Sequence, residues 1–244
     1  MNLLAVLLFG PTGSGKSPLG DWLERASLWG RRCCHFDFGA HLRAGVAGQG
    51  AEAFTAEEIR FLRRVLEQGA LLEDDHFPIV ARMLDAFVAH KHVQTSDLLA
   101  LNGLPRHLQQ ARAVAQKVTV IGVVQLDCDA RTIADRLWRN SGGDRTQRQD
   151  DTEALIARKL AIYEERTRPL LHYYRAQGAP ILKVEVGVET QPEEIVARME
   201  NWRIQCWGKR RPNRQEASPV GHGSNRIPTT CEQMPRASRE PASR

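Results

Sequence analysis

The segment that most limits what this chain can fold into is LLAVLLFGPTGSGKS, residues 3–17. Leu3 to Phe9 is an unbroken apolar run, the pattern of a central parallel strand covered on both faces. Gly10 to Ser17 then satisfies G-x-x-x-x-G-K-[ST]. Glycines in such a loop let successive backbone N–H groups turn inward on a phosphate. Lys16 can reach the β- and γ-oxygens, and Ser17 offers a hydroxyl to Mg²⁺. Gly10, Pro11, Thr12, Gly13, Ser14, Gly15, Lys16 and Ser17 are therefore the expected cradle for ATP. A loop between a buried strand and a helix is the setting that this chemistry requires.

The rest of the chain alternates between the two periodicities. SPLGDWLERASLWG reads as a helix, with Pro18 tolerated in its first turn. Cys33 to Phe38 reads as a short strand, and FTAEEIRFLRRVLEQG as a helix entered through a Thr55-x-x-Glu58 capping box and closed by Gly69. Asp75 to His90 is a further helix. DLLALNG is a strand, QQARAVAQ a short helix and VTVIGVVQLDC a strand rich in β-branched residues. ARTIADRLWRN reads as helix, GGDRTQRQDD as a polar loop, and the stretch from Asp151 to Gly178 as one long helical run. APILKVEV and QPEEIVARMENW supply a last strand and helix. Strands alternating with helices predict an α/β fold with a largely parallel central sheet and helices on both faces.

Charge is unevenly spread. The formal net charge is +5, but residues 203–244 carry nine Lys/Arg against three Asp/Glu, which leaves residues 1–202 near −1. The basic balance thus belongs to a tail rich in Pro, Ser and Arg, which reads as disordered. Any nucleic-acid contact is expected of that tail alone. Five cysteines form no spaced framework and no CxxC pair. They suit a reduced compartment, with Cys33 and Cys34 as small core residues. MNLLAVLLFG lacks the charged start and small-residue cleavage site of a secretion signal, and no run approaches the length of a membrane helix. A cytoplasmic protein, not bound to membranes, is expected. No NKxD segment is present to read guanine, and the size of the body favours a small-molecule kinase over a transporter ATPase or motor.

Two loops after strands carry arginines where a second ligand is expected, at the carboxyl ends of parallel strands. They are FGAHLR, residues 38–43, and LNGLPR, residues 101–106. Transfer of a phosphoryl group between two polyanions depends on positioning and on charge neutralisation by Lys, Arg and Mg²⁺.

GPTGSGKS, FGAHLR, NGLPRHLQQA, the pair ADRLWRN and RQDD, and RKLAIYEERTRPLLHYY occur in this order. Together they resemble the adenylate kinase and nucleoside monophosphate kinase family from about residue 3 to residue 200. The resemblance implies a P-loop kinase fold over 1–202, with an acceptor-binding insert at about 39–72 and a lid at about 137–149. By the same resemblance Arg43 and Arg106 hold the acceptor phosphate, with Gly39 and Gly103 in their loops. Gln110 reads the acceptor base, and Leu72 borders it. Arg136 and Arg148 flank the lid and meet the donor phosphates, and Lys159 stands where the family carries a further arginine. Only eleven residues separate Arg136 from Arg148, so the lid is of the short type, and it has no cysteines to hold zinc. The implied reaction is ATP + NMP ⇌ ADP + NDP, with AMP favoured as acceptor, in a monomer.

Three residues depart from the family pattern. Asn102 stands in place of an aspartate that organises hydrated Mg²⁺, Phe38 in place of a threonine near the acceptor base, and Ala40 in place of an aspartate. Asn102 can still hydrogen-bond a metal-bound water, and Asp37 is near enough in sequence to compensate. These departures keep two alternatives open. One is a kinase for UMP, CMP or another small molecule, and the other is a nucleotide-binding regulator with weakened catalysis. Asp150 and Asp151 can equally charge a helix N-terminus. His172, Tyr173 and Tyr174 read as a packed helix face.

Overall fold

A computed structural model describes residues 3–50, 54–143 and 152–207, all of which fall within one compact unit. Arg145, Arg148, Asp150, Asp151 and the tail beyond Trp207 lie outside the described residues, as do residues 144–149 of the expected lid. Five strands, β1 (Leu3–Phe9), β2 (Cys33–Asp37), β3 (Leu98–Asn102), β4 (Val118–Asp127) and β5 (Ile181–Glu185), form one sheet in the order β2-β3-β1-β4-β5. Every pairing is parallel. Among the described residues no helix is long and apolar enough to cross a membrane.

The unbroken apolar run at the start has its explanation in the layers. Ala5, Leu7 and Phe9 face one cluster, while Val6 and Leu8 face the other. The strand period of two thus serves both faces at once. On the first face pack α2 (Phe38–Val46), α3 (Ala56–Glu67), α4 (Phe77–His90), α5 (Leu108–Val114) and α8 (Leu170–Ala176), through residues such as Leu42, Leu62, Met83, Ala111 and Leu171. On the second face pack α1 (Lys16–Ala26) and α9 (Pro192–Trp207), through Leu19, Leu23, Ile195 and Met199. The result is a three-layer α/β fold with a wholly parallel sheet. Cys33 and Cys34 point into opposite layers. Burial pushes the Cys33 thiol up to about 12, which keeps it an inert core group.

Four local expectations need correction. The helix after the loop stops at Ala26, not Gly30, because Ser27 and Trp29 take positive φ of 66° and 55°. There the Trp29 indole donates to the Met199 carbonyl at 2.9 Å, and its ring lies 6.1 Å from that of Trp202. Tertiary packing overrides helix propensity there. The segment FGAHLR is not a loop but the start of α2, whose N-cap is Asp37, with its Oδ1 accepting from the Ala40 N–H at 2.9 Å. The long helical run is broken into α7 (Glu153–Ile162), a π-turn at Tyr163–Thr167 and α8, with α6 (Ala130–Arg139) a separate helix before it. His172 is exposed, so only Tyr173 and Tyr174 pack. The capping box forms as the sequence predicts. Thr55 Oγ1 accepts from the Glu58 N–H at 3.1 Å, and the Glu58 carboxylate accepts from the Thr55 N–H at 2.8 Å.

Candidate functional site

All five strands run parallel, so their carboxyl ends share one edge of the sheet. At that edge β1 ends in the glycine loop, β2 in Asp37, and β3 in Asn102. The pairing register sets Asp37 beside Asn102, and Asn102 beside Leu8. A single cleft opens there. It is lined by Gly10, Thr12, Gly13, Gly15, Lys16 and Ser17 of the loop and by Asp37, Gly39, Arg43, Leu72, Asn102, Gly103, Arg106, Arg136 and Lys159 from elsewhere. Residues separated by more than a hundred positions thus meet at one place.

The loop is drawn tight. Lys16 Nζ donates to the carbonyls of Gly10 and Pro11 at 2.7 and 2.6 Å, folding the side chain back across the loop. Gly15 caps α1 with φ 91°, and a Cβ there would come 3.1 Å from the Arg136 guanidinium. No L side chain suits that position. The α1 N-terminus consequently presents its first amides toward the cleft, where the helix dipole favours an anion. Ser14 is wholly buried, and its hydroxyl has no partner among the described residues.

Ser17, Asp37 and Asn102 close into a triangle. Ser17 Oγ donates to Asp37 Oδ2 at 2.5 Å. Asn102 Nδ2 donates to the same carboxylate oxygen at 2.8 Å and to Ser17 Oγ at 3.1 Å. The amide therefore turns its donor end to Ser17 and Asp37.

Arg106 is held from four sides. Its Nε donates to the Gly103 carbonyl at 3.0 Å, and its N–H donates to Gln110 Oε1 at 2.9 Å. Its carbonyl accepts from Thr167 Oγ1 at 2.9 Å, and its guanidinium carbon lies 5.9 Å from the centre of the Phe38 ring. Gly103 has φ 75°, and a Cβ there would sit 3.2 Å from Arg106 Nη2, so the bend and the arginine's path both depend on glycine. Phe38 is thus a wall behind Arg106. Arg43 comes from the last turn of α2, and Lys159 from α7 close to the turn at Gly69.

Two predicted residues make contacts that the resemblance does not imply. Gln110 is buried and does not line the cleft. Its Nε2 donates to the Leu72 carbonyl at 2.8 Å, so with its oxygen on Arg106 it ties the two loops together. Arg136 does line the cleft, but it is buried and anchored. Its Nε donates to the Gly13 carbonyl at 3.1 Å, and its Nη1 to the carbonyls of Gly187 and Val188 at 2.7 and 3.0 Å. It clamps the glycine loop to the turn after β5.

Sequence reasoning missed the structural parts of Thr167, His107 and Arg166. The His107 imidazole Nε2 lies 3.1 Å from the Leu72 carbonyl. Arg166 forms a two-pronged contact with Glu73 at 3.2 and 2.9 Å, and this holds the Glu73 carboxyl below its usual range. These contacts join partners at least 35 positions apart, which no local pattern encodes, although His107 also caps α5 locally by accepting from the Gln110 N–H.

No protein-family model matches the chain. The adenylate kinase of Rhodopirellula baltica is 31% identical over 180 residues, covering 72% of this chain and 83% of that protein. The adenylate kinase of Stenotrophomonas maltophilia is 30% identical over 203 residues, covering 80% and 97%. That of Synechococcus sp. WH7803 is 29% identical over 207 residues, covering 80% and 96%. Among solved structures, an unliganded sugar kinase from a Janibacter species aligns with 83% of this chain and 94% of that one. Its TM-score of 0.40 and identity of 16% are too low to bear on fold or chemistry. The relatives are matched over 83–97% of their own length, so the likeness is not confined to the phosphate loop, and the chain belongs to the adenylate kinase family.

Proposed function

We propose that this cleft transfers the γ-phosphoryl group of ATP to a nucleoside monophosphate, with AMP first among the acceptors. An acceptor phosphate oxygen forms the new bond to the γ-phosphorus, the bond to the β,γ-bridging oxygen breaks, and two nucleoside diphosphates leave. One observation carries the reading: Lys16 and Ser17 line the same cleft as Arg43, from the last turn of α2, and Arg106, from the segment after β3. A donor cradle and a second cationic pair in one cleft suit two phosphorylated ligands rather than one. The names of the relatives support the same class.

In this reading the loop amides and Lys16 hold the donor phosphates, and Arg43 and Arg106 hold the acceptor phosphate. Lys159 and Arg148 add charge as the transfer proceeds. Arg136, fixed against the loop, supplies positive potential without having to swing in. Ser17 with Asp37 and Asn102 provides hard oxygen and amide groups suited to hydrated Mg²⁺. Bound with the nucleotide, that ion would neutralise phosphate charge during transfer. No protein nucleophile is required. A lid over 137–149 would exclude water as a competing acceptor.

A second reading, a pyrimidine monophosphate as acceptor, is favoured by Gln110, whose amide is committed to Leu72 and Arg106 rather than to the cleft. A coupled assay with Mg·ATP and each monophosphate in turn decides. ADP formation with AMP is the expected result. Turnover with UMP or CMP alone moves the acceptor, and nucleotide binding without turnover leaves a regulator.

A further inference from the structure

Among the described residues lining the cleft, Asp37 is the only carboxylate, in the company of Lys16, Arg43, Arg106, Arg136 and Lys159. A negative group in a cleft meant for phosphates repels them unless a cation lies between. We infer that Asp37 is the carboxylate that makes the Ser17 hydroxyl a magnesium site, a task that in P-loop proteins commonly falls to an aspartate near the loop. The inference rests on the phosphoryl-transfer reading above, since it is the nucleotide that would bring the ion.

Three features of the chain support it. First, the neighbouring strand end cannot supply the charge, because β3 ends in the neutral Asn102, whose Nδ2 donates to Ser17 and Asp37. Second, Asp37 and Asn102 are register partners at the ends of β2 and β3, so a carboxylate at either position faces the same hydroxyl. Third, Ser17 Oγ donates its proton to Asp37 Oδ2, which turns that proton away from a cation approaching the oxygen's remaining lone pair. The donor set is sparse. No group of three His, Cys, Asp or Glu that could hold a metal occurs among the described residues. One hydroxyl and one carboxylate suit an ion that keeps its waters and takes its other ligands from phosphate oxygens, as Mg²⁺ does.

Asp37 also caps α2 through Oδ1. Asparagine is an equally good N-cap, so Asp37→Asn removes the charge and keeps the helix start. The test is calorimetric titration of the full chain with a non-hydrolysable ATP analogue, in Mg²⁺ and in EDTA. In the unaltered protein Mg²⁺ should strengthen binding. In Asp37→Asn that enhancement should fall about tenfold or more, with metal-free affinity kept or raised. The double variant Asp37→Asn/Asn102→Asp should recover most of it. Recovery shows that the loss came from the carboxylate and not from a damaged fold. An enhancement unchanged in Asp37→Asn overturns the inference, as does binding by the unaltered protein that ignores Mg²⁺. The acceptor assay stays separate. Loss of enhancement in a protein that phosphorylates no monophosphate supports Asp37 and refutes the acceptor reading. Transfer to AMP with the enhancement intact in Asp37→Asn does the reverse.

Discussion

At the scale of single residues, the site divides its labour by charge and by anchoring. Lys16 and Arg43 are assigned to different ligands, so their variants should separate. Lys16→Ala should lower kcat with AMP by a hundredfold or more, roughly the weight of one preorganised transition-state contact. Arg43→Ala should mainly raise the KM for the monophosphate, by about tenfold, an effect of one charge-assisted contact. Steady-state kinetics with donor and acceptor varied in turn measures both, and a rise in the KM for ATP in Arg43→Ala would reverse the assignment. Arg136 belongs to another kind. Its buried guanidinium donates to carbonyls from two loops, and truncation removes those charge-assisted bonds together with the side chain's packing. Arg136→Ala should destabilise the protein by about 2–3 kcal/mol in denaturant unfolding, with the m-value unchanged.

At the scale of elements, local signals and long-range contacts contribute in different places. The box at the start of α3 is wholly local, and Thr55→Ala should cost about 1 kcal/mol. The same unfolding measurement checks it, and a change near zero would mean the first turn frays in any case. The π-turn at Tyr163–Thr167 has no such local account. It adjoins the cleft, where such turns often occur, and Thr167 is the residue that meets Arg106. At Asp37 several contacts meet on one element boundary, since this residue ends β2 and its carboxylate caps α2 and accepts from Ser17.

At the scale of the whole molecule, stability rests on the sheet and the two layers around it. Leu7 is fully buried in the central strand, and Leu7→Ala should cost about 2–5 kcal/mol. The far edge of the sheet is fastened by Asp97. Burial would raise its carboxyl, but hydrogen bonds from the Arg32 guanidinium at 2.6 Å and the Gln94 N–H at 2.8 Å outweigh it and hold it below the usual range. A depressed folded pKa means stability that is present above the ordinary carboxylate range and lost as pH falls through the folded value. Asp97→Asn should thus lower Tm at neutral pH, and the gap should shrink below about pH 4. A gap independent of pH would place the effect in packing instead.

The apolar run, the glycine loop and the strand–helix alternation were decided by the chain itself, because each depends on residues within a few positions of one another. They sufficed for the α/β class and the parallel sheet. Arg43, Arg106 and Lys159 were also legible, through motifs that the structure brings to a single cleft. The settings of Arg136 and Gln110 were not. Whether an arginine faces a phosphate or a ring of carbonyls depends on loops more than fifty positions apart, and only the packed sheet brings those together. The partnership of Ser17, Asp37 and Asn102 is of the same kind, since it needs the register between β2 and β3, which no local periodicity encodes.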